Sequence, residues 1–236
     1  MKHYTKEIAK RLDVFCSSNG YQHSEYFNKF LDDIMYSFGK PVDKNHILDN
    51  KTGDFLKAIT SLYGEAVINT EPYTDILGEI YMELGSRYSR SGMGQFFTPG
   101  HICKLMSSLI IDKEPITNKD FIEICEPCVG AGAMLLAALS IYKEEKIFPL
   151  NKIAITCNDL DFSCCKMATS QIMANLLIHG DSLAGLTTWH GNTLDDPQAW
   201  NLYYCVESPQ YTEYKNQNPQ IHKKKVSANI KQLSLF

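Results

Sequence analysis

The stretch FIEICEPCVGAGAMLLAAL, residues 121–139, decides how this chain is read, and it supports two readings. Cys125 and Cys128 form a C-x-x-C pair, a spacing used for metal ligation and for thiol redox chemistry. Glu126, Pro127, Gly130 and Gly132 form a different pattern, an acidic residue and a proline leading into a glycine turn at the end of a short apolar run. Such a turn lets the backbone approach a small ligand closely, and the helix that follows offers free N–H groups. Glu126 is placed to meet a cation such as an ammonium, which points to an amino-acid-like ligand and away from a dinucleotide pyrophosphate.

The surrounding sequence weighs the two. A zinc site needs about four ligands, usually with a second Cys or His pair at fixed spacing. Cys157, Cys164, Cys165, His179 and His190 are available, yet they form neither a second C-x-x-C nor a closely spaced His pair. A redox pair opens a helix after a strand, a position this pair shares. Cys125, however, reads as the last residue of a buried strand, turned away from any redox partner. The glycine reading uses more of the residues. Some thirty positions on, the run IAITC (153–157) leads into NDLD, with Asp159 and Asp161. An acid at the end of a second strand, bonded to ribose hydroxyls, is the usual partner of a glycine turn after the first. After a third run comes HGNTL (190–194), where Asn192 carries an amide able to face an adenine ring.

Composition bounds the rest. The 236 residues are 44% hydrophobic, ordinary for a globular core, and carry a net charge of −4. That charge argues against a stand-alone nucleic-acid binder, which neutralises phosphates with clustered Lys and Arg. No run of 18 apolar residues suggests a membrane span. The opening MKHYTKEIAKRLDVF lacks the apolar core of a signal peptide. The eight cysteines make a poor disulfide framework, so reduced thiols and a cytoplasmic setting are expected.

The chain divides near residue 90. Residues 1–90 hold helical patterns, YTKEIAKRLDVFC, SEYFNKFLDDIMYSF, DFLKAITSLYGEAV and TDILGEIYMELGSRYS. Beyond residue 100, β-like runs at 121–125, 153–157, 186–190 and 202–206 alternate with helical stretches at 132–145 and 161–179. Strands alternating with helices of this length predict an α/β fold on a mostly parallel sheet. The expected units are therefore a helical region (1–90), a cofactor-binding domain (91–214) and a flexible tail (215–236).

From about residue 74 to 211 the chain resembles the methylation subunit of type I restriction–modification systems, N6-adenine DNA methyltransferases that use S-adenosylmethionine. The matching pieces occur in that family's order: DILGEIYMEL, GQFFTP (94–99), EPCVGAGAM (126–134), CNDLD (157–161), MANLLIHG (173–180) and GNTL (191–194). The resemblance implies a Rossmann-like methyltransferase domain with S-adenosylmethionine as cofactor. It implies that Phe97, Thr98 and Pro99 pack beside the cofactor, that Glu126, Gly130 and Gly132 hold its methionine part, that Asp159 holds its ribose, and that Asn192 lies near its adenine. The C-x-x-C is then incidental.

The family's catalytic tetrapeptide, Asn/Asp/Ser-Pro-Pro-Tyr/Phe, ends the fourth strand, where it holds the amino group of a base flipped out of the duplex. The matching place here has Ser208-Pro209-Gln210-Tyr211, with glutamine at the second proline. The resemblance implies that Ser208, Pro209 and Tyr211 present the base, and serine leaves a cytosine target open beside adenine. Only four of the family's seven strands can be placed, and an open edge on the fourth would invite association. DNA is the implied substrate, reached through a specificity subunit or another partner. The final QLSLF resembles the pentapeptide that bacterial replication proteins insert into the sliding clamp, with Gln232 as polar anchor and Leu233, Leu235 and Phe236 filling an apolar pocket. A second functional class stays open, a methyltransferase-like binding module that acts through protein contacts.

Overall fold

The computed structural model describes residues 2–41, 49–87 and 97–219. Four helices come first: α1 (Lys2–Asn19), α2 (His23–Ser37), α3 (Asn50–Ile68) and α4 (Ile76–Arg87). Their apolar residues recur one turn apart, so each helix carries one apolar face. On α2 that face is Tyr26, Phe27, Phe30, Leu31, Ile34 and Met35, all buried. Asp49 caps α3 by accepting the Thr52 backbone N–H at 2.8 Å. Edge-on aromatic contacts join the helices, Phe27 with Tyr81 at 5.6 Å and Phe30 with Tyr63 at 6.2 Å between ring centroids.

Then follow α5 (Gly100–Ile110), β1 (Ile122–Glu126), α6 (Ala133–Glu144), β2 (Ile153–Asp159), α7 (Phe162–Ile178), β3 (Gly185–His190), β4 (Asn201–Glu207) and α8 (Pro209–Gln217). Helix α7 lies at the centre. It is buried without interruption from Cys164 to Ile172, packed between the first helices and the sheet. Its apolar residues face both ways: Cys164, Met167 and Ala174 join the helical core, while Ala168, Ile172 and Leu176 join the core against the sheet. Burial all round forces its polar residues to find partners inside, and Lys166 pairs with Asp32 at 2.7 Å.

The sheet runs in the order β1-β2-β3-β4. The first three strands are parallel, Ile122 pairing with Ile153 and Ala154 with Gly185. One face packs Ile153, Ile155, Cys157 and Leu186 against Leu135, Leu136 and Leu139 of α6 and against α7. Each such residue, once fully buried, contributes about 2 kcal/mol of transfer free energy. Across the opposite face runs a row of register neighbours, Cys125, Thr156, Thr187 and Cys205. Thr187 is half-buried and the other three are exposed. Among the described residues, the end of that face near the strand starts is closed where Tyr211 of α8 packs with Phe121, Ala154 and Ala184.

Two expectations are corrected here, and two helices are added. Strand β4 is antiparallel to β3, with Glu207 opposite Gly185, because residues 191–200 turn the chain straight back with no crossover helix. Cys125 is exposed and is not the end of the strand, which runs on to Glu126. Helices α5 and α8 were not anticipated. The first is amphipathic, yet Ile102, Leu105, Met106, Leu109 and Ile110 are exposed, while Cys103 and Ser107 face inward. Among the described residues no helix is long and apolar enough to cross a membrane. The tail residues Gln232, Leu233, Leu235 and Phe236 lie outside the described residues.

Candidate functional site

Glu126 ends β1 and Asp159 ends β2, so the parallel pairing alone brings both carboxylates to the same edge of the sheet. Between β1 and α6 the chain makes its glycine turn. Gly130 has φ +54° and Gly132 φ +94°, left-handed values that side-chain-bearing residues rarely adopt. A Cβ on Gly132 would sit 3.1 Å from the Ala168 Cα, and one on Gly130 would sit 3.3 Å from the Phe97 ring. The turn therefore needs glycine twice over, for conformation and for space.

Asp159 holds this turn in place. Its Oδ2 accepts the Gly130 backbone N–H at 2.8 Å, and its Oδ1 accepts that of Asp161 at 2.9 Å. Two bonds leave lone pairs on a carboxylate that can accept about four, so hydroxyl donors can still be received. Glu126 accepts the Cys128 backbone N–H at 3.2 Å. Burial pushes the Glu126 carboxyl above its ordinary range, and the Asp159 charge adds to this while the Cys128 N–H opposes it. A cationic ligand beside Glu126 would relieve that cost. The asymmetry suits a ligand with a positive group at one end and hydroxyls at the other, and the pair fits the cofactor that the sequence suggests.

The other expected residues fall as follows. Phe97 packs on Gly130 and lies 5.1 Å from the Tyr81 ring. Thr98 and Pro99 are exposed, the Thr98 carbonyl accepting from the Cys103 thiol at 3.5 Å and Pro99 preceding α5. These three also line a cleft of about 950 Å³ between α4, α5 and α6, which Glu126, Asp159 and Asn192 do not line. Asn192 stands in the turn after β3, on the same edge as Asp159, whose register partner is His190. Its Oδ1 accepts the Leu194 N–H at 3.1 Å, and its carbonyl accepts from Trp200 Nε1 at 2.8 Å. The Trp200 ring leaves no room for a Cβ on Gly191, so the indole fixes this turn.

Ser208, Pro209 and Tyr211 are not brought to this edge. Antiparallel β4 delivers them to the start of β3, where the Ser208 N–H donates to the Ala184 carbonyl at 2.8 Å. At about 3.3 Å per strand residue, the six residues of β3 separate them from Asn192 by roughly 17 Å. Ser208 is the N-cap of α8, its Oγ accepting the Tyr211 N–H at 3.2 Å, and Pro209 occupies the first helical turn. A serine followed by proline is how a helix commonly starts, and these two residues open α8 in that way. Gln210 is exposed, and Tyr211 is buried with its hydroxyl donating to Glu123 Oε1 at 2.9 Å.

Asn158 was missed by the sequence reading. It is buried, and its amide Nδ2 donates to the Gly191 carbonyl and Thr193 Oγ1 at 2.9 Å each, with the Pro127 carbonyl at 3.3 Å. One side chain thus staples the turn after β1 to the turn after β3. Thr193 closes the loop by donating to the Pro127 carbonyl. A polar residue at an otherwise buried position of IAITCND was the available signal. The buried Asn158 Oδ1 has no partner among the described residues, which leaves an unused acceptor next to the glycine turn. As for the cysteines, burial raises Cys157 and Cys165 to about 12 and Cys164 further, so these thiols stay protonated and inert near neutrality. Among the described residues no group of three or more His, Cys, Asp or Glu could hold a metal ion.

A methylase subunit of a type I restriction enzyme, MpnII of Mycoplasma pneumoniae, is 25% identical over 134 residues, covering 55% of this chain and 22% of that protein. The crystal structure of a type I restriction–modification methyltransferase subunit from Streptococcus thermophilus is 17% identical, with a TM-score of 0.40, covering 82% of this chain and 40% of that one. A candidate class I S-adenosylmethionine-dependent methyltransferase from Listeria monocytogenes is 13% identical, with a TM-score of 0.46, covering 83% and 55%. The chain thus spans about a fifth of the curated relative's length. The family model described as N-6 DNA Methylase matches residues 73–232, more than half of the sequence, including the glycine turn and both acidic strand ends. The chain belongs to the N-6 DNA methylase family.

Proposed function

We propose that this chain binds S-adenosylmethionine at the edge formed by Glu126, the glycine turn and Asp159, and serves methyl transfer to the N6 amino group of adenine in DNA. The observation that carries the reading is the Glu126–Asp159 pair on either side of a turn built on two left-handed glycines. Glu126 would take the ammonium of the methionine part, and Asp159 would take ribose hydroxyls with its remaining lone pairs. Gly130 and Gly132 let the backbone come close, Asn192 borders the adenine, and Phe97 backs the turn at Gly130, while Thr98 and Pro99 lie on the neighbouring cleft. When bound, the cofactor supplies an electrophilic methyl group. The chain's own share is orientation, which in a well-placed site provides much of the rate. With a net charge of −4, DNA contact is assigned to a partner such as a specificity subunit.

The position of Ser208 and Tyr211 favours a second reading, a cofactor-binding module in which base presentation falls to residues outside the tetrapeptide. Two measurements separate these. Calorimetry with S-adenosylmethionine should show binding by the wild type that Gly130→Leu abolishes, and a wild type that releases no heat ends the cofactor reading. Tritiated methyl transfer to unmethylated DNA, with and without a specificity subunit, then decides turnover. Binding without transfer in either case establishes the module.

A further inference from the structure

Gln171 is fully buried on α7, and all four hydrogen-bonding capacities of its carboxamide are used. Its Oε1 accepts the backbone N–H groups of Ile76 at 2.7 Å and Leu77 at 2.9 Å. Its Nε2 donates to Asp75 Oδ1 and to the Ala131 carbonyl, each at 2.8 Å. The amide orientation is forced, because two N–H donors lie on one side and two acceptors on the other. Asp75 Oδ1 also accepts the Gly78 N–H at 2.8 Å. Thus three N–H groups that open α4 are satisfied by two side chains, one of them on a different helix.

The fourth bond reaches the glycine turn. Ala131 stands between Gly130 and Gly132, and a planar peptide unit makes its carbonyl and the Gly132 N–H move together. That N–H closes the turn on the Val129 carbonyl at 2.9 Å. We propose that Gln171 is a positioning residue for the cofactor turn, coupling its geometry to the start of α4. The inference rests on the cofactor reading of that turn, and it makes the helices before residue 90 part of the site without their touching the ligand.

Gln171→Glu tests it with a readout that a merely structural role would not move. The new carboxylate keeps the contacts to Ile76 and Leu77 but sets an acceptor against Asp75 and the Ala131 carbonyl. Two carboxyls sharing one site hold a proton well above the usual range, so acid restores a donor and base removes it. The other titratable groups facing Asp75 are Tyr63 on α3 and Cys103 on α5, both raised by burial and both neutral through this interval. Hydrogen exchange of the ligand-free full chain, compared with wild type at each pH, should show residues 75–80 and 129–136 loosening together near about pH 8. Both should tighten again near about pH 5.5. Relative to the wild type at the same pH, the S-adenosylmethionine Kd of the variant should be weaker by about tenfold or more at the higher pH and should return toward the wild-type value at the lower. Gln171→Met should loosen both segments at every pH. Loosening confined to 75–80, or an unchanged Kd, overturns the proposal. If the wild type binds no cofactor, the functional reading falls, while exchange at the two segments still decides the coupling.

Discussion

Asp159 accepts the Gly130 N–H at 2.8 Å with one oxygen and the Asp161 N–H at 2.9 Å with the other, so the acid at the end of β2 shapes the turn at the end of β1. Asp159→Asn replaces one acceptor by a donor that must face a backbone N–H. We expect a loss of about 1–2 kcal/mol in urea unfolding and a cofactor Kd weakened about tenfold. A substitution that weakens binding without any loss of stability would show that Asp159 acts on the ligand alone.

Glu126→Gln should separate function from stability. Burial and the Asp159 charge raise the carboxyl above its unfolded value, so the native state holds its proton more tightly than the unfolded chain does. Stability is then highest at acid pH, falls as pH rises from the unfolded to the folded pKa, and carries the full cost above the folded value. Removing the charge should raise Tm above that of the wild type at pH 8, by on the order of 2 °C per kcal/mol relieved, and leave it unchanged at low pH. Cofactor affinity in the wild type should drop as pH falls through the raised value, since the protonated acid cannot pair with an ammonium. The variant should bind weakly at all pH. Differential scanning and calorimetry across pH check both.

Asn158→Leu should be among the costliest single changes at this edge. It leaves the Gly191 carbonyl without its side-chain donor and the Pro127 carbonyl with the Thr193 hydroxyl alone, which loosens the tie between the two turns. A buried acceptor so stranded costs about 1–3 kcal/mol, and a loss in that range is expected. Exchange at residues 127–132 and 191–194 should rise together.

Tyr211→Phe removes the bond to Glu123 but keeps the ring among Phe121 and Tyr214. We expect a loss of about 1–2 kcal/mol, with Tyr211→Ala losing about 3–5 kcal/mol. Cofactor affinity should stay within about twofold for Tyr211→Phe. A stable protein with abolished methyl transfer would instead assign the ring to the base.

Much of this architecture was legible, because spacing of apolar residues reports which face is covered. Phe27, Phe30, Leu31 and Ile34 announced α2, and the Ile153–Ile155–Cys157 alternation announced β2. What spacing does not encode is the partner of an edge strand. LYYCV reads the same whether it runs with β3 or against it, and only the ten residues 191–200, too few for a crossover helix, carried that information. Helix α5 carries the helical spacing in Ile102, Leu105, Met106, Leu109 and Ile110, although that stripe faces outward. Asn158 and Gln171 carry no such signal: buried amides are chosen for the backbone atoms around them, which no local pattern displays.

The row Cys125, Thr156, Thr187 and Cys205 gives the sheet a built-in ruler. Its two ends carry exposed thiols three inter-strand steps apart, about 14 Å at 4.8 Å per step. With Cys128 changed to serine, nitroxide labels on the two would bracket β2 and β3 by dipolar spectroscopy. Fraying of either outer strand would be read directly as a lengthening of that interval.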